Sequence, residues 1–211
     1  EKYFRLPGVQ DNCFLTYIWI DGTGVDVRAK TKWVPKEPER PEDCSKWQYD
    51  GSSTYQAEGH DSDMILQPVA ISRDPFFPGK SKLVLCDVYN KNGEPAPTNH
   101  RAACKEICDK TASVEPWFGL EQEYTLLGHD GRPAGFPEHG FPLAQGPYYC
   151  AVGAGRTVGR EICDAHMLAS QYAGLQVTGT NAEVLLGQWE YQVGPCVGIS
   201  VADELWLSRY I

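Results

Sequence analysis

Phe118-Gly119-Leu120-Glu121-Gln122-Glu123-Tyr124-Thr125-Leu126-Leu127 sets two carboxylates two residues apart in an otherwise apolar, strand-forming run. On a strand, side chains at i and i+2 project from the same face, about 6.5 Å apart along the chain. Two acids so placed repel, and burying either without a counter-charge costs on the order of several kcal/mol. The run therefore has two readings: a half-exposed strand with an acidic face, or a strand that presents its acids to a cation.

Further along, Asn181-Ala182-Glu183-Val184-Leu185-Leu186-Gly187-Gln188-Trp189-Glu190-Tyr191-Gln192 repeats the pattern across a turn. If Leu186-Gly187 forms a two-residue turn, Leu185 faces Gln188, Val184 faces Trp189 and Glu183 faces Glu190. Directly opposed residues in an antiparallel pair have Cβ atoms about 5 Å apart, where like charges destabilise. Such a hairpin is either fully exposed or built around a cation. Two strand elements with paired acids favour the cation, and hard oxygen ligands favour magnesium or manganese over zinc.

The same periodicities organise the rest of the chain. Residues 14–20 and 25–30 flank Asp21-Gly22-Thr23-Gly24 and predict a hairpin. A Pro- and charge-rich surface loop is expected at 35–44, then a short strand at 47–49, a turn at Asp50-Gly51-Ser52-Ser53, and strands at 64–71 and 82–89. Asn92-Gly93-Glu94-Pro95-Ala96-Pro97 reads as a boundary. After it, Thr98 or Asn99 caps a helix to about 113, and a second helix over 157–173 ends at Gly174. That second helix sets Ile162, Ala165, Ala169 and Tyr172 on one side. The expected architecture is α+β, an N-terminal, mostly β domain followed by the start of an α+β domain.

With 42% hydrophobic and 11% aromatic content, 211 residues can bury a substantial core. A formal charge of -9 argues against a general nucleic-acid binder, which needs clustered Lys and Arg. The apolar runs are too short to cross a bilayer and no charged-then-apolar leader opens the chain, so a soluble, cytoplasmic protein is expected. Eight cysteines, scattered through apolar or helical contexts, read as reduced packing residues rather than a disulfide framework. Cys104 and Cys108 share a helix face, but two thiolates without further ligands make a poor zinc site. His166 reads as a packed or surface residue, and His60, His129 and His139 as loop residues without a chemical role. The chain lacks an initiator Met, and 203–211 reads as a helix without a stop signal, so a segment of a longer protein is expected.

Several blocks carry a resemblance. Tyr17-Ile18-Trp19-Ile20-Asp21-Gly22-Thr23-Gly24, Trp47-Gln48-Tyr49-Asp50-Gly51-Ser52-Ser53, Trp117-Phe118-Gly119-Leu120-Glu121-Gln122-Glu123-Tyr124, Gln145-Gly146-Pro147-Tyr148-Tyr149-Cys150, Gly179-Thr180-Asn181-Ala182-Glu183 and Gln188-Trp189-Glu190-Tyr191-Gln192-Val193-Gly194-Pro195-Cys196 resemble, in order and spacing, the signature blocks of eukaryotic-type glutamine synthetase. The resemblance implies an N-terminal tail over 1–10, a β-grasp domain over 11–93 and the first, incomplete part of a catalytic domain over 100–211. It implies ATP-dependent ligation of ammonia to glutamate through γ-glutamyl phosphate.

By the same resemblance, Glu121, Glu123, Glu183 and Glu190 are ligands of Mg2+ or Mn2+, and Glu123 is also catalytic. Glu121 and Glu190, Tyr191, Gln192, Val193, Gly194 and Pro195 border ATP. Asp50, with Ser53 beside it, binds ammonium and takes its proton across a subunit interface. Glutamate, ammonium and ATP are the implied partners, in a homo-oligomer of stacked rings, with neither nucleic acid nor membrane. Phe136, Ala151, Cys163-Asp164 and Leu185-Leu186-Gly187 depart from the family pattern, and the last could alter how closely Glu183 approaches Glu190. The family's later blocks, with a metal-binding His, another Glu ligand, substrate-clamping arginines and a flap Glu, lie outside the 211 residues, so the isolated segment is expected to be inactive. The alternatives are a non-catalytic structural or interaction member of the superfamily and a related phosphotransfer enzyme acting on another amine or acid.

Overall fold

Residues 14–20 combine β-branched and aromatic side chains, which favour a pleated surface packed on both sides. In the computed structural model, which describes residues 2–77 and 79–211, they lie in an inner strand of a mixed sheet. Its strands are β1 (Cys13–Ile20), β2 (Val27–Val34), β3 (Trp47–Asp50), β4 (Asp63–Arg73) and β5 (Lys82–Asn90), in the spatial order β2-β1-β5-β4-β3. β1 runs parallel to β5, and the other neighbours are antiparallel. This is the β-grasp arrangement the resemblance implied.

The turn between β1 and β2 is closed by its own side chains. Asp21, fully buried, accepts hydrogen bonds from the Thr23 amide at 2.8 Å and the Thr23 hydroxyl at 2.5 Å, and pairs with Arg28 Nε at 2.9 Å. An aspartate that satisfies the backbone two residues on is a local instruction to turn.

The chain continues through α1 (His100–Lys110), β6 (Trp117–Thr125), α2 (Arg160–Ala173), β7 (Val177–Ala182), β8 (Gln188–Val197) and α3 (Ser200–Tyr210). β6, β8 and β7 form a second, antiparallel sheet in that order. Both faces of β1 are covered. Leu15, Tyr17 and Trp19 pack with Tyr49, Met64, Leu66 and Val88. On the other side Ile18, Leu83 and Leu85 meet Val177, Tyr191 and Val193 of the second sheet and Val201 and Leu207 of α3. The two sheets thus share a core, and at the segment expected as a boundary Ala96 is buried, its amide donating to Val88 O at 3.0 Å. Among the described residues no helix is long and apolar enough to cross a membrane.

Two expectations need correction, the 183–190 hairpin and the packing role of the cysteines. Asn99 does cap α1 through its side chain, and Gly174, at φ 93°, closes α2. The buried residues of α2 are Cys163, Ser170 and Ala173, and Ile162 and Tyr172 are 53% and 50% exposed. Small side chains let the helix settle close on β7, and the larger ones are turned outward. The two-residue hairpin is displaced: Asn181 opposes Glu190 and Ala182 opposes Trp189, so the register is shifted by two and 184–187 form the loop. Finally, all eight cysteines are free, but only Cys13, Cys44, Cys86, Cys163 and Cys196 are buried. Cys104 and Cys150 are exposed and Cys108 half-buried, so these three are not core packing residues.

Candidate metal centre

Opposed residues in neighbouring strands share a face. Glu121 opposes Gln192 and Glu123 opposes Glu190 across β6 and β8, while Glu190 opposes Asn181 on β7. The directly opposed acids are therefore Glu123 and Glu190, not Glu183 and Glu190. The shift by two preserves the face, so Glu183, just past the end of β7, still joins them, its amide donating to Gln188 O at 2.9 Å. Carboxylate oxygens of Glu123, Glu183 and Glu190 all lie within 4.8 Å of one another. Glu123 is exposed, Glu190 half-buried and Glu183 buried at 7% exposure.

The other face of this sheet explains the strand's apolar character. Trp189, Tyr191 and Val193 point into the core, and Tyr124 packs against them from β6. The Trp189 indole donates to Val158 O at 2.8 Å and the Tyr191 hydroxyl meets Ser208 Oγ at 2.9 Å. The acids of β6 are thus held on the open face by burial of their neighbours. His166 packs beside Tyr191 at 4.7 Å between ring centroids and contacts Ser208 O through Nε2, a structural role.

Amides fix the carboxylates from outside. Gln188 Nε2 donates to Glu123 at 2.6 Å, Asn181 Nδ2 to Glu183 at 3.3 Å, and the Val184 amide to the other Glu183 oxygen at 3.0 Å. Gln192 Nε2 donates to both Glu190 and Asn181 Oδ1. Among the described residues no lysine or arginine pairs with Glu121, Glu123, Glu183 or Glu190. Burial, together with the charges of Glu121 and Glu183, pushes the Glu190 carboxyl above the usual range, although the Gln192 amide opposes the rise. Converging acids without a cationic side chain, held by neutral donors, fit a hard divalent ion.

Glu121 lies outside the close trio but near enough to raise Glu190. Of the residues expected to border a nucleotide, Glu190 and Gln192 share the acid face. Tyr191 and Val193 are buried, so a ligand on that face would meet only their backbone. Gly194 takes φ 106° beside a cis bond to exposed Pro195, and a side chain at Gly194 would come 2.7 Å from Phe118 O. Asp50 is in the other sheet, exposed at the end of edge strand β3. It accepts from the Ser52 amide at 2.9 Å and hydroxyl at 2.6 Å, and these bonds, with one from Ser62, hold its carboxyl below the usual range. Sequence reasoning missed Asn181 and Gln188. The signal was there, since 181 and 183, and 188, 190 and 192, are polar positions at the strand period of two.

Residues 11–91 match the family model described as glutamine synthetase, beta-Grasp domain. Over 211 residues, all of this chain, it is 53% identical to glutamine synthetase 2 cytoplasmic of Drosophila melanogaster and 55% identical to glutamine synthetase of Homo sapiens, spanning 57% and 56% of their lengths. Glutamine synthetase 1, mitochondrial, of Drosophila melanogaster is 53% identical over 212 aligned residues, again across the whole of this chain and 53% of the relative. The chain thus spans little more than half the length of these relatives.

Proposed function

The chain belongs to the glutamine synthetase family, and from that premise we propose that it supplies part of the active site of an ATP-dependent ligase joining ammonia to the side-chain carboxylate of L-glutamate. The observation that carries this reading is the convergence of Glu123, Glu183 and Glu190 within 4.8 Å. These three, with Glu121 beside them, would hold Mg2+ or Mn2+. Such an ion, when bound, would supply charge neutralisation at phosphate. Gln188, Asn181 and Gln192 keep the carboxylates from splaying apart. Glu121, Glu190, Gln192 and the backbone of 191–195 border ATP.

Asp50 is kept ionised by Ser52 and so is fit to bind ammonium and accept its proton. Its exposure on an edge strand suits a residue that completes the site of a neighbouring subunit in a ring-shaped homo-oligomer. The domain limits follow the same reading, with a tail over 1–10, a β-grasp domain over 11–93 and a catalytic portion over 100–211. A cytoplasmic location competes with a mitochondrial one, since relatives equally similar carry both words in their names. Fluorescent tagging of the full-length protein decides between them.

Two measurements test the reading. Titration of the chain with Mn2+ is expected to show binding that weakens at least about tenfold in Glu183→Gln or Glu190→Gln. Unchanged affinity in both variants would refute the metal site. The full-length protein is expected to form γ-glutamyl hydroxamate with manganese, and a product level no higher than that of Glu123→Ala would leave a non-catalytic scaffold in its place.

A further inference from the structure

α1 contains no buried residue, yet one of its faces holds two thiols side by side. Cys104 and Cys108 are one turn apart, with sulfurs 4.0 Å from each other. Cys108 sits beside Gly198 at the junction of β8 and α3. Cys104 borders a cavity of about 250 Å³ together with Arg101, Asp203 and Trp206. The five buried cysteines are enclosed in the core and Cys150 lies on a separate loop, so this is the accessible thiol pair of the described residues.

The surroundings define what the pair can hold. Two bonds of about 2.3 Å from sulfur to one soft pyramidal centre span about 3.5 Å, which the two thiols reach from 4.0 Å by a small side-chain rotation. A four-ligand zinc site needs two further donors. The nearest charged candidate, Asp203, is occupied by both Arg101 Nε at 2.6 Å and Arg101 Nη2 at 2.8 Å. A centre satisfied by two sulfurs and one substituent of its own fits instead.

We propose that Cys104 and Cys108 form a chelating dithiol site for a monosubstituted trivalent arsenical. Two S–H bonds break, two As–S bonds form, and the arsenoxide oxygen leaves as water with both protons. Arsenic stays trivalent, so no oxidant or reductant is consumed. Burial, with the hydrogen bond and charge of Cys108, pushes the Cys104 thiol up, and a neutral thiol brings the proton that this condensation releases as water. Closure of the second bond is intramolecular, so the pair is expected to bind about 10²-fold more tightly than either thiol alone.

The test is intact-mass measurement and titration of the folded, phosphine-reduced 211-residue chain with phenylarsine oxide. The expected result is one equivalent bound, resisting a monothiol and released by a small dithiol. Cys104→Ser and Cys108→Ser should each weaken uptake about 10²-fold, with unfolding temperature unchanged, while Cys150→Ser binds as the parent does. Tight uptake that persists in both single variants, or that requires denaturant, would overturn the proposal.

Discussion

At the scale of single residues, Asp21 shows how a buried charge is made tolerable. Burial alone would raise its carboxyl, but the Thr23 hydroxyl and amide and the Arg28 guanidinium outweigh that and hold it below the usual range. A depressed folded-state value means that the unfolded chain takes up protons first. The stabilisation is therefore complete above the ordinary carboxylate value of about 3.9 and is lost as pH falls below it. Asp21→Asn keeps an acceptor for Thr23 but sets an amide against Arg28, and is expected to cost about 2 kcal/mol at pH 7. Denaturant unfolding from pH 7 to 3 should show the gap between parent and variant narrowing at the acid end. A gap that does not change with pH would refute the charge argument.

At the scale of elements, the outcome of sequence reading depends on whether the deciding contacts are local. Asn99, Gly174 and the β1–β2 turn were legible because each acts on backbone within four residues. The alternation of β6 was legible too, since Glu121 and Glu123 needed only the strand period. The register of β7 against β8 was not. It depends on a distant strand end, where the Leu126 amide donates to Gly187 O at 2.9 Å, and on Ala134, which crosses just behind Gly187. The buried face of α2 was not legible for a related reason. Hydropathy ranks Ile162 well above Ser170 and Ala173, whereas close approach to a sheet selects by size. The four acids were grouped from the strands, but Asp50 acquired a role only by resemblance, since alone it is a turn residue.

The loop at 184–187 gives this scale its prediction. Gly187 takes φ 82°, and a Cβ there would come 2.5 Å from Ala134 O. Gly187→Ala is expected to destabilise by about 2 kcal/mol through strain and clash. Because the loop follows Glu183 directly, the same change should displace that carboxylate and weaken Mn2+ binding about tenfold. Calorimetry on one sample reads both quantities. Lost stability with unaltered Mn2+ affinity would show that β7, and not the loop, sets Glu183.

For the whole molecule, the question is what makes two sheets one cooperative unit. The shared core around Ile18, Leu85, Tyr191 and Leu207 supplies area, and a largely buried ion triad supplies direction. Arg101 of α1 reaches Asp203 of α3 at 2.6 Å and Asp87 of β5 at 3.4 Å, so one guanidinium ties the β-grasp sheet to the helices around the second sheet. The side chains are 16%, 10% and 6% exposed for Arg101, Asp203 and Asp87. Replacing one partner of a buried pair leaves an uncompensated charge and typically costs about 3–5 kcal/mol. Arg101→Met leaves two such carboxylates and is expected to fall in or above that range at pH 7. Burial, with Asp203 beside it, already holds the Asp87 carboxyl above the usual range despite Arg101. A raised acid favours the folded state at low pH, and its contribution is lost as pH rises through the folded value. Removing the cation raises Asp87 further, so the deficit of Arg101→Met should shrink as pH falls from 7 toward 5, at higher pH than a lost attraction between exposed charges, which fades only near the ordinary carboxylate value of about 3.9. Thermal unfolding across that range checks it. A deficit that is constant or grows on acidification would mean that Arg101 joins the two sheets by packing and not through its charge.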